Sequence, residues 1–203
     1  MENFINIKGK NIALTDEQIA EIEKSFALNQ VELKAIPEGD PFKLGKYEFF
    51  VLEQLGDTTV VLLKELLHDE EEFGENNKYT SSNVDELCCE FGKTIGSIVG
   101  EDNLIEHTVD LTSDDGLKDY GDVRRKMSLL TADEYRRYVY VIDKYKIDKW
   151  WWLATPWSTP THGYSSTVKC VSPDGGVDNG NRSYCYFGVR PFCILKSNIF
   201  VSK

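Results

Sequence analysis

In "LTDEQIAEIEKSFAL" the apolar residues Ile19, Ile22 and Phe26 recur at helical spacing, and Thr15 followed by Gln18 has the form of a capping box. The pattern predicts a short N-terminal helix. Pro37, Gly39 and Pro41 then break the periodicity, which sets a boundary between a strand/helix segment over residues 1–36 and a main domain over residues 37–203. Two continuous apolar runs follow, Tyr47–Leu55 and Thr59–Leu63, and with Gly56-Asp57 between them they predict a β-hairpin. The charge run "HDEEEFGENN" reads as a solvated loop.

Helical spacing returns in "TSSNVDELCCEFGKTI" through Val84, Leu87, Cys88 and Phe91, with Ser81 or Ser82 as N-cap. "LIEHTVDLT" predicts a strand and "DDGLKDYGDVRRKM" a polar connection. In "SLLTADEYRRYVYVIDKY" Thr131 and Glu134 cap another helix. The last third is β-like with many turn signals. Thr167–Ser172 predicts one strand, Pro173-Asp174-Gly175-Gly176 a turn and Val177 the return. "SYCYFGVRPFCIL" predicts a final strand in which Gly188 marks a bulge or close backbone approach, and at Pro191 the strand lies partly on an edge or leaves the ladder. Trp150, Trp151 and Trp152 cannot all face one side of a strand, so at least one seals the core.

The class is therefore α+β, with short antiparallel sheets flanked by two or three helices and a loop-rich C-terminal third. Composition adds what the chain avoids. With 41% hydrophobic and 28% charged residues it has the balance of a folded domain. A net charge of −11 repels nucleic acid and anionic lipid over most of the surface. "MENFINIKGKNIALTDEQ" lacks a basic-then-apolar leader, and no stretch reaches the ~18 apolar residues of a membrane span, so the expectation is a chain made without a signal peptide, cytoplasmic or virion-associated, with no membrane insertion. The five cysteines form no CxxC pair and read as reduced thiols, neither a disulfide framework nor a zinc site.

"WWLATP", the "V…PDGGV" hairpin and "FGVRPFCIL" resemble the WWLRSP, V-x-x-x-G-x-V and GVRPAL signatures of a domain of unknown function common in gut Firmicutes and their phages. "FKLGKYEFFVLEQLGDTTVVLLKELL", "YTSSNVDELCCEF" and "MSLLTADEY" are similar to further motifs of that family in the same order, and the resemblance spans roughly residues 40–197. It implies a C-type lectin-like fold, as in formylglycine-generating enzymes and the variable proteins of diversity-generating retroelements. It also implies a structural role for Gly188, Val189 and Arg190, with Arg190 pairing internally. Ala154 and Thr155 stand where the family more often has Arg-Ser.

Retroelement variable proteins diversify at adenine-rich codons that cannot encode Lys, Glu, Gln, Met or Trp. Those types make up 44 of 203 residues overall but one of the 35 in residues 158–192, Lys169. A turn-rich loop region has the same composition without mutagenesis.

The function expected from these features is non-catalytic binding of a protein or glycan at a cell or phage surface. A phage receptor-binding or retroelement-diversified variable protein is the sharper version. The expected contacts are Trp157, Ser158, His162, Tyr164, Ser165, Asn179, Asn181, Arg182, Ser183, Tyr184 and Tyr186, since Tyr gives rigid amphipathic area and Asn and Ser adaptable hydrogen bonds. No catalytic residue, metal or cofactor is expected. The alternatives are an oxidase like the formylglycine-generating enzymes, using Cys185 or Cys193, and a structural module of a phage particle.

Overall fold

The computed structural model describes residues 4–7, 10–21, 30–80 and 82–203. The chain is mixed α/β and its sheets are antiparallel. β1 (Phe4–Ile7) pairs with β2 (Lys10–Ala13), and helix α1 opens at residue 16. Its capping box is formed: the Gln18 amide donates to Thr15 Oγ1 at 3.2 Å, and the Thr15 amide donates to Gln18 Oε1 at 3.0 Å. Ile22 and Phe26 lie outside the described residues.

Then come β3 (Gln30–Glu32), β4 (Pro41–Leu44), β5 (Tyr47–Leu55), β6 (Thr58–Leu63) and α2 (Asn83–Val99). β7 (Leu104–Ile105), β8 (His107–Asp110), β9 (Asp122–Arg125), β10 (Met127–Leu129) and α3 (Ala132–Ile142) follow. The chain ends with β11 (Trp151–Pro156), β12 (Thr167–Val171), β13 (Val177–Asn181), β14 (Pro191–Lys196) and β15 (Phe200–Ser202). The large sheet runs β10-β14-β6-β5-β4-β15-β3, with β7 also on β14; β11-β12-β13 form a second sheet, and β8 pairs with β9. The large sheet thus takes in Gln30–Glu32, ahead of the expected boundary at residue 37, and Leu33 and Ile36 are buried beneath it.

The continuous apolar runs of β5 and β6 have a simple cause: both faces of the hairpin are buried. Phe49, Val51, Val61 and Leu63 face a core completed by Val84, Cys88, Phe91 and Ile95 of α2. Phe50, Leu52, Val60 and Leu62 alternate with them and face a second core completed by Ala132, Tyr135, Tyr138 and Ile142 of α3. Ser82 caps α2 by accepting from the Asp85 amide, and α3 carries the full Thr131/Glu134 capping box. β11 repeats this two-sided burial. Trp152 and Ala154 enter the first core and Trp151 and Leu153 the second, while Trp150 is half-buried just ahead of the strand.

Three expectations are corrected. The charge run after the hairpin is packed: the Leu67 amide donates to Val189 O, Glu71 N to Phe187 O and Phe73 N to Arg182 O, each at 2.8 Å. Phe73 and Asn77 within it, and Tyr79 just beyond it, are fully buried. His68, Asn76 and most of its acidic side chains meet solvent, so a charge-weighted pattern hides a strap that ties the first half of the chain to the last third. Second, the polar connection contains a strand, β9, and ends on the first residue of β10; β9 forms because backbone pairing needs no apolar side chains. Third, the final strand begins only at Pro191; residues 182–187 are turns. β14 is an interior strand, and Pro191 is tolerated as its first residue, where the missing N–H falls at the end of the ladder.

Candidate ligand-binding face

β11 ends at Pro156, β12 begins at Thr167 and β13 ends at Asn181, and the antiparallel pairing Pro156↔Val168 and Thr167↔Asn181 puts these at one end of the second sheet. The loop of residues 157–166 and the turns of residues 182–187 therefore leave the scaffold side by side, joined where the Arg182 amide donates to Ser166 O at 2.8 Å. Ten of the eleven expected contact residues lie there; Asn179 sits two residues back on β13, where its Oδ1 accepts from the buried Lys169 Nζ at 2.8 Å.

Beneath this end lies an aromatic floor. Trp152 meets Phe187 at 4.3 Å between ring centroids and Phe73 edge-on at 5.5 Å, and its Nε1 donates to Glu71 O at 2.8 Å. Gly180 of β13 is where the floor comes closest to backbone: a β-carbon there would lie 2.5 Å from the Phe187 ring and 2.8 Å from that of Trp152. Gly188 is the close approach expected from the sequence, since a β-carbon would fall 2.4 Å from Leu66 and 3.1 Å from His68 O. Arg190 is internal, as the resemblance implies. It is 1% exposed, donates to the carbonyls of Leu63, Lys64 and Tyr145, and stacks between Phe50 and Trp151; burial lowers its pKa to about 10.

Above the floor, Tyr184 and Tyr186 stack on each other at 5.2 Å and both lean on Phe187, yet they remain 41% and 52% exposed. Tyr164, 46% exposed, stands edge-on against half-buried Trp157 at 4.7 Å. Asn181, Ser183, Ser165 and His162 are exposed around them. Asn181 Oδ1 accepts from the Ser183 amide and hydroxyl, which fixes the turn that presents Tyr184.

Two of the expected contact residues are held inward. Ser158 is buried, its hydroxyl donating to Asp115 Oδ2 at 2.6 Å, and Arg182 donates to Gly74 O at 2.8 Å. They tie loops together rather than meet a ligand in this conformation. His162 Nδ1 lies 2.9 Å from the same Asp115 oxygen. Hence Ser158 and His162 both address Asp115, and the serine does not donate to the imidazole as a nucleophile would.

The supports are residues that the sequence pattern did not single out. Buried Asn77 donates from Nδ2 to Ser158 O at 2.8 Å and to Thr167 O at 3.0 Å, and accepts from the Tyr120 hydroxyl at 2.8 Å. Asp115 accepts from Ser113 and Ser158, and Asp119 from Thr159 and Thr161. The hydroxyls of Ser113 and Ser158, with the nearby His162, hold the Asp115 carboxyl well below the usual carboxylate range; those of Thr159 and Thr161 lower Asp119. Asp114 is bracketed by Lys169 and Arg136. Nothing local marks these carboxylates, because their partners lie about 40 or more residues away for all but Ser113 and Arg136.

The profile of a family described as a domain of unknown function, DUF6273, matches residues 57–197, more than two thirds of the chain. The chain belongs to this family. The DUF6273 stretch closes on itself in space: the Ser197 amide donates to Asp57 O at 2.8 Å, so its first and last residues are neighbours. It contains the strap, α2, α3 and the whole face described above. No curated protein and no solved structure matches the chain. Among the described residues no helix is long and apolar enough to cross a membrane.

Proposed function

We propose that this DUF6273 protein is a non-catalytic ligand-binding protein whose contact face is the end of the β11-β12-β13 sheet, with Tyr164, Tyr184 and Tyr186 as anchors and Asn181, Ser183, Ser165 and His162 as adaptable polar contacts. The observation that carries the reading is the pairing of exposed, mutually stacked tyrosines with a fully buried aromatic floor. Tyrosines ordered before binding lose little entropy when a ligand arrives, which is how paratopes gain affinity. Cys193 is fully buried with its thiol pushed up by burial, while Cys185 is exposed. That difference removes support for the two acting as a pair and leaves an oxidase reading to Cys185 alone.

The finer version is a C-type lectin-like scaffold in a phage or prophage protein displaying a face toward a cell-surface protein or glycan. The retroelement version adds that residues 157–187 are diversified. Its test is the surrounding DNA, which should carry a reverse transcriptase gene and a near-copy of these codons differing at adenines; without them that version is withdrawn.

The binding reading is tested by applying the whole chain to glycan arrays and to panels of intact bacterial cells, beside the variant Tyr164→Ala/Tyr184→Ala/Tyr186→Ala. Binding that the triple variant loses at least about tenfold supports it, each aromatic anchor contributing on the order of 1 kcal/mol or more. Binding that the variant retains in full places the site elsewhere.

A further inference from the structure

The strap lies directly against the tyrosine turn, and its charge is unbalanced. Residues 69–75 hold five carboxylates: Asp69, Glu70, Glu71, Glu72 and Glu75. Asp69 is paired with Lys149 at 2.7 Å, and Glu71 lies 3.7 Å from His68. Glu70, Glu72 and Glu75 are exposed and have no ion pair among the described residues. The bonds from Glu71 N to Phe187 O and from Phe73 N to Arg182 O bracket Glu72 opposite residues 183–186. Exposed Glu72 thus sits on the strap between the two amides that hold the backbone on either side of the Tyr184–Tyr186 turn.

The same character continues past Phe187. That ring stacks on half-buried Trp150 at 5.4 Å, and next to Trp150 opens a groove of about 420 Å³ lined by Leu66, Leu67 and Ile147 together with Glu65, Asp69 and Asp148. Apolar side chains and carboxylates both line this path, and Lys149 in the groove is already paired with Asp69, His68 lies beside Glu71, and Arg182 is already bonded to Gly74 O.

We propose that this path, from the Tyr184–Tyr186 stack along the strap to the Leu66–Ile147 groove, docks a basic segment of a partner protein, rich in Arg or Lys with interspersed aliphatic residues. The inference rests on the binding-face reading and names the chemistry of its ligand. A guanidinium stacks on a tyrosine face while donating to a carboxylate at its edge, and both acceptors are present here without a cation of their own. The net charge of −11 attracts such a segment at long range and repels acidic competitors. A neutral glycan would use the tyrosines but have no use for the carboxylates.

The probe is a fluorescein-labelled peptide of alternating Arg and Leu, with its Glu-Leu counterpart as control, titrated with the full chain by fluorescence anisotropy at physiological salt. Tyr184→Ala/Tyr186→Ala and Glu70→Gln/Glu72→Gln should each weaken Arg-Leu binding by about tenfold or more. Asp57→Asn/Asp102→Asn, at the opposite end of β14, should change it by less than about twofold, as expected for screened distant charges. Equal weakening by the two charge variants would reduce the effect to bulk attraction and overturn the proposal, as would absence of binding. An array ligand lost with the tyrosines but indifferent to Glu70→Gln/Glu72→Gln also overturns it, while leaving the binding face intact. Indifference of every ligand to the tyrosines removes both.

Discussion

Asn77 Nδ2 donates to the Ser158 carbonyl at 2.8 Å, a bond spanning 81 residues of chain, and the same amide group reaches Thr167 O at 3.0 Å. One buried side chain thus pins both ends of the loop that carries Tyr164 and His162. Removing it strands the Ser158 carbonyl where protein surrounds it, while Thr167 O keeps the Trp157 amide as donor at 3.0 Å. Asn77→Ala is expected to lower the free energy of unfolding in urea by about 2 kcal/mol or more, the usual penalty for unpaired buried polar groups. Asn77→Asp should do no better, since the lost function is donation.

Gly180 occupies a position where β-propensity alone would favour a larger residue, and the aromatic floor explains why it is small. A methyl group would press on Phe187 and Trp152, rings too rigid and too well packed to move aside. Gly180→Ala should cost roughly 1–3 kcal/mol, the range for overpacked cores. Thermal melting by near-ultraviolet circular dichroism should show both the lowered midpoint and altered tryptophan packing. A stabilised protein would mean the floor is looser than described.

Acid should weaken the fold through His107. Burial lowers its pKa to about 4, its Nε2 lies 2.8 Å from Ser128 Oγ and its ring packs on Phe192 at 4.7 Å. The folded protein keeps this imidazole neutral where the unfolded chain would protonate it near pH 6.5. The unfolded state thus binds the extra proton below that value, so the contribution is intact above about pH 6.5 and is lost as pH falls toward about 4. The loss amounts to about 3 kcal/mol at most. Urea titrations at pH 7 and pH 4.5 should show this decline in the parent chain and much less of it in His107→Gln.

The elements that were legible in the sequence are those whose cause is local. The hairpin at Gly56-Asp57 shows in adjacent apolar runs, and α1 and α3 announce themselves through capping boxes three residues wide. The β12–β13 hairpin follows from its turn residues. The strap was opaque because Phe73, Asn77 and Tyr79 are scattered among glutamates, and what buries them comes from Trp152, Arg182 and Ser165, far along the chain. β9 was opaque because its partner β8, not its own side chains, makes it a strand. Residues 183–186 carry strand-forming aromatics but turn instead, since Asn181 bonds Ser183 and the strap takes the backbone on either side. The contact residues were read from residue type, while Asp115, Asp119 and Asn77, which hold them, could be found only in three dimensions.

The central claim divides this end of the molecule into a floor that folds the protein and a face that does not. The most direct test compares two unfolding free energies. If Tyr164, Tyr184 and Tyr186 are a face, the variant Tyr164→Ser/Tyr184→Ser/Tyr186→Ser should lose no more than about 2 kcal/mol, the share of half-exposed rings. Trp152→Ala alone should lose about 3–5 kcal/mol as a core cavity. A triple serine variant that is less stable than Trp152→Ala would show that the tyrosines belong to the core, contradicting the account.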